Sequence, residues 1–301
     1  MNSFRTFAKA VPWLAVVLMQ VGCSTDQQIH QLKAVPAKPG SATSTSAKGS
    51  TVDDPSVFFA KDGHFYTAGY VAYLAGYHDL DKLQRISCFT QTPDEELWKL
   101  NAVPVSIYGI APGLWSYRRQ VVNGLHSLHG GDTAAVDERR ARLKKMIEEA
   151  VKPDSGVPDW QLGFLIHAFG DSYAHVKGKP PEAYGPGVGH LFDSLFGDDP
   201  DAIFINHHYE KYNAYVNSLF AALSSGHPDS APDEAALQTF TGEIARQAAE
   251  GNDPDKTVTI TIKGGSPTFD WDKNDKLCES LNTRIANKDI NDFLEKLSNA
   301  L

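Results

Sequence analysis

Three side chains at four-residue spacing carry the chemistry of this sequence: His167, Asp171 and His175, in the run Leu165-Ile-His-Ala-Phe-Gly-Asp-Ser-Tyr-Ala-His175. Residues four apart on a helix drift only about 40° around the axis and climb roughly 6 Å per step, so all three rise along one face. Neutral imidazole and carboxylate are the usual zinc ligands of catalytic sites, and an aspartate midway between two histidines suits bridging of two ions. The flanking Leu162, Leu165, Ile166, Phe169 and Tyr173 are apolar, which predicts a mostly buried helix. Buried charge needs a partner, and a cation is the simplest one. A hydrogen-bonded polar seam without metal is the competing reading of these three residues taken alone.

The remaining histidines shift that balance. The chain has eleven histidines but only three cysteines, too few for a Cys-rich zinc module or a disulfide scaffold. His64 begins an aromatic helix, His126 and His129 close another as Leu-His-Ser-Leu-His, and His190 stands in the glycine-rich Gly187-Val-Gly-His190. His207 and His208 read as a solvated or capping pair, and His30, His78 and His227 have no assigned role.

The elements that must position these groups are mostly helical. Phe65, Tyr66, Tyr70, Val71, Tyr73 and Leu74 recur at three- and four-residue spacings before Gly76. Further helices are expected at about 79–90, 94–100, 110–128 with Pro112 in the first turn, 133–151, 159–177, 201–224, 233–249 and 275–300. The stretch 182–200 reads as a loop. Alternation in Thr257-Val-Thr-Ile-Thr-Ile262 predicts a strand. The expected fold is all-α, a single helical domain over 55–301 with a small β element near 257–263.

Residues 1–22 have the basic start, apolar run and small residues of an export signal. Val21-Gly22-Cys23-Ser24 resembles the lipobox of bacterial lipoproteins, with Gln20 where leucine is preferred. That resemblance implies acylation of Cys23, membrane attachment through it, and an outer-membrane lipoprotein facing the periplasm or the cell surface. Residues 23–54 are too poor in bulky apolar groups to order themselves and read as a flexible tether. A formal charge of −9 argues against sequence-independent capture of nucleic acid, so no stable nucleic-acid binding is expected. Cys88 and Cys278, the thiols left once Cys23 is acylated, either bridge or stay as two buried free thiols. A bridge would favour the fold by about 4–5 kcal/mol through loop closure.

Gly63-His64-Phe-Tyr-Thr-Ala-Gly-Tyr-Val-Ala-Tyr-Leu-Ala-Gly-Tyr77, the His167–His175 helix and the Gly-His190 loop together resemble a family of uncharacterised bacterial proteins. That family in turn resembles zinc-dependent phospholipase C and the P1/S1-type nucleases, over about residues 58–215. The resemblance implies an all-helical domain with a zinc cluster that cleaves phosphodiester bonds. By position, His64 resembles the early histidine ligand, Asp94 the aspartate that follows, and His129, or else His126, the next histidine. His167 and Asp171 match a terminal and a bridging ligand, and His175 and His190 complete a second ion. The last carboxylate is Asp193, Asp199 or Asp201. The phospholipases and nucleases have a longer gap before the last histidine of this helix and a ligating tryptophan at the mature N-terminus, so one or two ions are expected rather than three. Asp94 and Asp171 are the candidate proton acceptors. The expected function is therefore metal-dependent hydrolysis of a phosphodiester, phospholipid or nucleotide. The alternative is a non-catalytic, membrane-tethered interaction or metal-binding module on the same scaffold.

Overall fold

Polar caps set where the helices begin. In the computed structural model, which describes residues 60–96, 99–186, 199–226, 228–258 and 271–301, a π-helical segment Ala60–Tyr66 runs into α1 (Thr67–Leu74). The Asp79 carboxylate then accepts the backbone N–H groups of Asp81 and Lys82 to open α2 (Leu80–Glu95). Asn101 accepts from Val103 at the start of α3 (Ala102–Tyr108). A short α4 (Trp115–Arg118) continues into a second π-helical segment, Arg119–Leu125. Asp132 caps α5 (Thr133–Ala150). Pro158, with its fixed φ, precedes α6 (Asp159–Ala174), whose first residue pairs with Arg85 of α2 at 2.6 Å. The remaining helices are α7 (His208–Ser224), α8 (Glu234–Ala248, capped by Asp233), α9 (Trp271–Asn282) and α10 (Asn287–Ala300).

The helix that carries the His/Asp/His face is the axis of the core. Every residue of α6 from Leu162 to Ala174 is buried, with α2, α5 and α7 packed around it. A helix apolar on all sides is one surrounded on all sides, and its few polar positions are then forced into the interior. Gly163 brings α2 close: a Cβ there would stand 2.4 Å from the Cβ of Phe89. Gly170 does the same for the imidazole of His64, whose Cε1 would lie 3.2 Å from an added Cβ. On the other side, α10 lies against the segment Arg119–Leu125.

The all-α expectation holds, and the described residues fall in one compact unit. Among the described residues the β element is Val176–Lys177 paired antiparallel with Glu182–Ala183, just after α6. Thr257 and Val258 are not in a strand, and 259–262 lie outside the described residues. Boundaries also move. The helix expected at 94–100 is absent because α2 continues through Pro93 to Glu95, and Asn101 caps a fresh start. The single helix expected over 110–128 is a short α turn followed by a π turn, and that over 275–300 breaks between Asn282 and Asn287. Cys88 of α2 and Cys278 of α9 form a disulfide across a sequence separation of 190.

Candidate metal centre

Four segments deliver one buried cluster. His64 comes from the π-helical segment before α1, Asp94 from the last turn of α2, His126 from the end of the segment Arg119–Leu125, and His167 and Asp171 from α6. Asp171 is the hub. Its Oδ1 lies 3.0 Å from His64 Nε2, and its Oδ2 lies 3.0 Å from His126 Nδ1 and 3.2 Å from His167 Nε2. Asp94 stands further out, at 3.8 to 4.0 Å from the same three rings. The ligating atoms form two groups, His64/His167/Asp171 and Asp94/His126/His167.

Backbone carbonyls fix the tautomers. A carbonyl oxygen only accepts, so His167 Nδ1–H donates to Thr90 O at 2.9 Å and His126 Nε2–H donates to Leu100 O at 2.8 Å. In each neutral ring the other nitrogen then carries a lone pair. Those two lone-pair nitrogens, His126 Nδ1 and His167 Nε2, face each other at 3.2 Å with the carboxylates beside them. Acceptors crowded in this way repel unless a cation or proton sits among them. Donor atoms around a tetrahedral zinc stand roughly 3.3 Å apart, the spacing seen here, and carbonyl-anchored second nitrogens are the usual support of metal-binding histidines. The residues present therefore fit a metal ion.

Electrostatics agree with the geometry. Burial alone would raise the carboxyl pKa of Asp171, but the His167 and His175 rings and the close approach of His126 hold it well below the usual carboxylate range. Burial raises Asp94 to about 6 against the opposing pull of His167 and His126. Burial lowers His167, whereas for His126 the Asp171 contact outweighs burial and raises it. Asp94 is also the cluster's exposed edge, at 23% exposure against 2% or less for His64, His126, His167 and Asp171.

His175 sits at the C-terminal end of α6. Its Nδ1–H donates to His126 O at 2.7 Å, and its Nε2 faces Asp201 Oδ1 at 3.4 Å. Burial would lower its pKa, but Asp171 and Asp201 together raise it to about 10. Of the two candidate last carboxylates among the described residues, Asp199 and Asp201, Asp201 is the one that faces His175. Asp199 accepts the backbone N–H of Asp201, and Asp193 lies outside the described residues, as do His190 and Cys23.

His129 does not join the cluster. After Leu125 the helix ends, Ser127 turns the chain with a φ of 53°, and its hydroxyl donates to Ala168 O on α6. That reversal turns His126 inward and His129 outward, where its Nδ1 accepts from the Gly131 N–H beside Arg139. The anchoring carbonyls of Thr90 and Leu100 carry no residue-type signature. Asn101 does: its side chain donates to Asp94 O at 2.8 Å while capping α3, so it ties the Asp94 turn to the strand of chain holding Leu100.

Fold and site together define an all-helical protein built around a buried His/Asp cluster suited to a metal. The chain matches no protein-family model, and no curated protein or solved structure matches it.

Proposed function

We propose that this chain is an exported lipoprotein whose His/Asp cluster holds one or two zinc ions and hydrolyses a phosphodiester-type substrate, a phospholipid or a nucleotide. The observation that carries the metal reading is the convergence of His126 Nδ1 and His167 Nε2, 3.2 Å apart, beside the carboxylates of Asp171 and Asp94. Asp94, His126 and His167 would hold one ion and His64, His167 and Asp171 another, the two sets sharing His167. Zinc so held supplies a Lewis acid that brings the pKa of a water toward neutrality and neutralises developing negative charge. Asp94, at the exposed edge, accepts the proton. Asp171, buried within 3.2 Å of His64, His126 and His167, would serve as a ligand rather than as the base. The phosphodiester class rests on the resemblance of the histidine and aspartate order to phospholipase C and the P1/S1 nucleases. Export and membrane attachment rest on residues 1–22 and the lipobox-like Cys23, and the Cys88–Cys278 bridge favours an oxidising compartment.

Metal analysis of natively purified protein tests this, with hydrolysis of bis(4-nitrophenyl) phosphate as the second readout. One to two zinc ions per chain and turnover are expected, with Asp94→Asn lowering kcat by at least about 100-fold. Stoichiometric zinc without turnover on any phosphodiester would leave the non-catalytic tethered module. Protein without stoichiometric metal would remove the hydrolase reading and leave a tethered interaction module held by a polar seam.

A further inference from the structure

Beyond the His/Asp cluster, a second cavity of about 330 Å³ lies where the segment Arg119–Leu125, α5 and α10 meet. Its polar lining is Arg119, Asn123, His129, Arg139, Ser298 and Asn299, joined by Leu301, which carries the terminal carboxylate, and none of these belongs to the metal centre. Arg139 is only 8% exposed, yet among the described residues no carboxylate pairs with it. Its Nη1 donates to Asn123 O at 2.7 Å and to Gly124 O at 3.4 Å, neutral acceptors that leave the guanidinium charge uncompensated. Burial and the neighbouring Arg142 pull its pKa down to about 10, the mark of a cation held where a cation is disfavoured. Arg119 brings a second guanidinium into the same lining, and it too has no carboxylate partner among the described residues. In a chain of net charge −9, a cavity with two arginines against the terminal carboxylate of Leu301 keeps a local excess of positive charge.

We propose that this cavity is an anion site for a phosphate group, free or as a small phosphomonoester. Two guanidinium charges match a phosphoryl dianion better than a carboxylate, and guanidinium forks suit its oxygens. Asn123, Ser298, Asn299 and His129 supply neutral donors for oxygens the arginines do not take. The volume of about 330 Å³ admits a small ester. Arg119 and Asn123 also line an adjoining cavity with Trp115, which offers an apolar surface to the organic part of an ester.

Isothermal titration of the full chain with inorganic phosphate, at ionic strength matched with chloride, tests the site. Saturable binding is expected, unchanged after the protein is stripped with chelator, and weakened at least tenfold by Arg119→Gln. Arg119 is exposed and makes none of the backbone bonds of Arg139, so this variant keeps the fold. Phenyl phosphate is the second probe. Tighter binding than inorganic phosphate, lost in Trp115→Ala, assigns the site to a phosphomonoester, and weaker binding assigns it to free phosphate. Absence of binding beyond chloride, equal binding by Arg119→Gln, or binding that disappears with the chelated metal would each overturn the proposal.

Discussion

His126 and His129 are three residues apart, and on a continuous helix they share a face, which is why sequence alone leaves the choice between them open. The structure separates them by the left-handed Ser127, a conformation that serine adopts rarely and that no periodicity announces. His167 and Asp171 are legible for the opposite reason: their relation is set by helix geometry within a single turn. His126→Ala should therefore abolish stoichiometric metal binding, while His129→Ala should retain it, as read by metal analysis of each purified variant. His129 has a separate signature in pH. Burial, with Arg139 nearby, lowers its pKa to about 4, below the unfolded value of 6.5. Between those values the unfolded chain binds more protons, so its contribution is full above about pH 6.5 and is lost as pH falls toward 4. Allowing for solvent screening of this half-buried ring, the loss is on the order of 1 kcal/mol. Denaturant unfolding at pH 7 and pH 4.5 should show a correspondingly smaller pH loss in His129→Gln than in the parent, and equal losses would exclude this account.

At the scale of elements, the cluster depends on how near α2 comes to α6. Gly163 sits one turn before His167 on the same face, and its missing Cβ lets Phe89 and Thr90 approach until Thr90 O reaches His167 Nδ1. The sequence announces α6 as buried and helical, and it does so correctly, but one glycine among 24 does not reveal which neighbour it admits. The π-helical segments at Ala60–Tyr66 and Arg119–Leu125 are invisible for a related reason: they shift the side-chain register by about one residue, and a 3.6-residue pattern cannot record that. The first carries His64 two residues before its end, and the second ends just before His126. Gly163→Ala should push α2 outward, cost about 1–3 kcal/mol by overpacking despite alanine's better helix propensity, and weaken metal affinity roughly 10- to 100-fold by loosening the His167 anchor. Thermal unfolding paired with a zinc titration reads both effects. A variant of normal stability and normal affinity would mean that α2 can shift without disturbing the ring.

Across the whole molecule, the disulfide fastens α9 covalently to α2, the helix it packs against. Cys88 lies on α2 six residues before Asp94 and packs with Phe65, the residue after His64, so Cys278 ties α9 to the two elements that hold one side of the cluster. Sequence reading left open whether these two thiols pair, since nothing local relates positions so far apart. Closing a loop of that length removes enough unfolded-state entropy to stabilise the fold by about 4–5 kcal/mol. Such a bridge persists only where the surroundings oxidise thiols, which couples stability to the proposed export. Protein carrying residues 1–22 should therefore reach the membrane fraction with no free thiol at Cys88 or Cys278 when denatured without reductant. Cys23→Ser should move it to the soluble envelope fraction with the bridge intact. The chain made without residues 1–22 should stay in the reducing cytosol with both thiols free and melt many degrees lower, with oxidation in vitro restoring the difference. Two free thiols in the exported protein, or an unchanged melting temperature after reduction, would sever stability from compartment and leave the helices alone to hold the cluster.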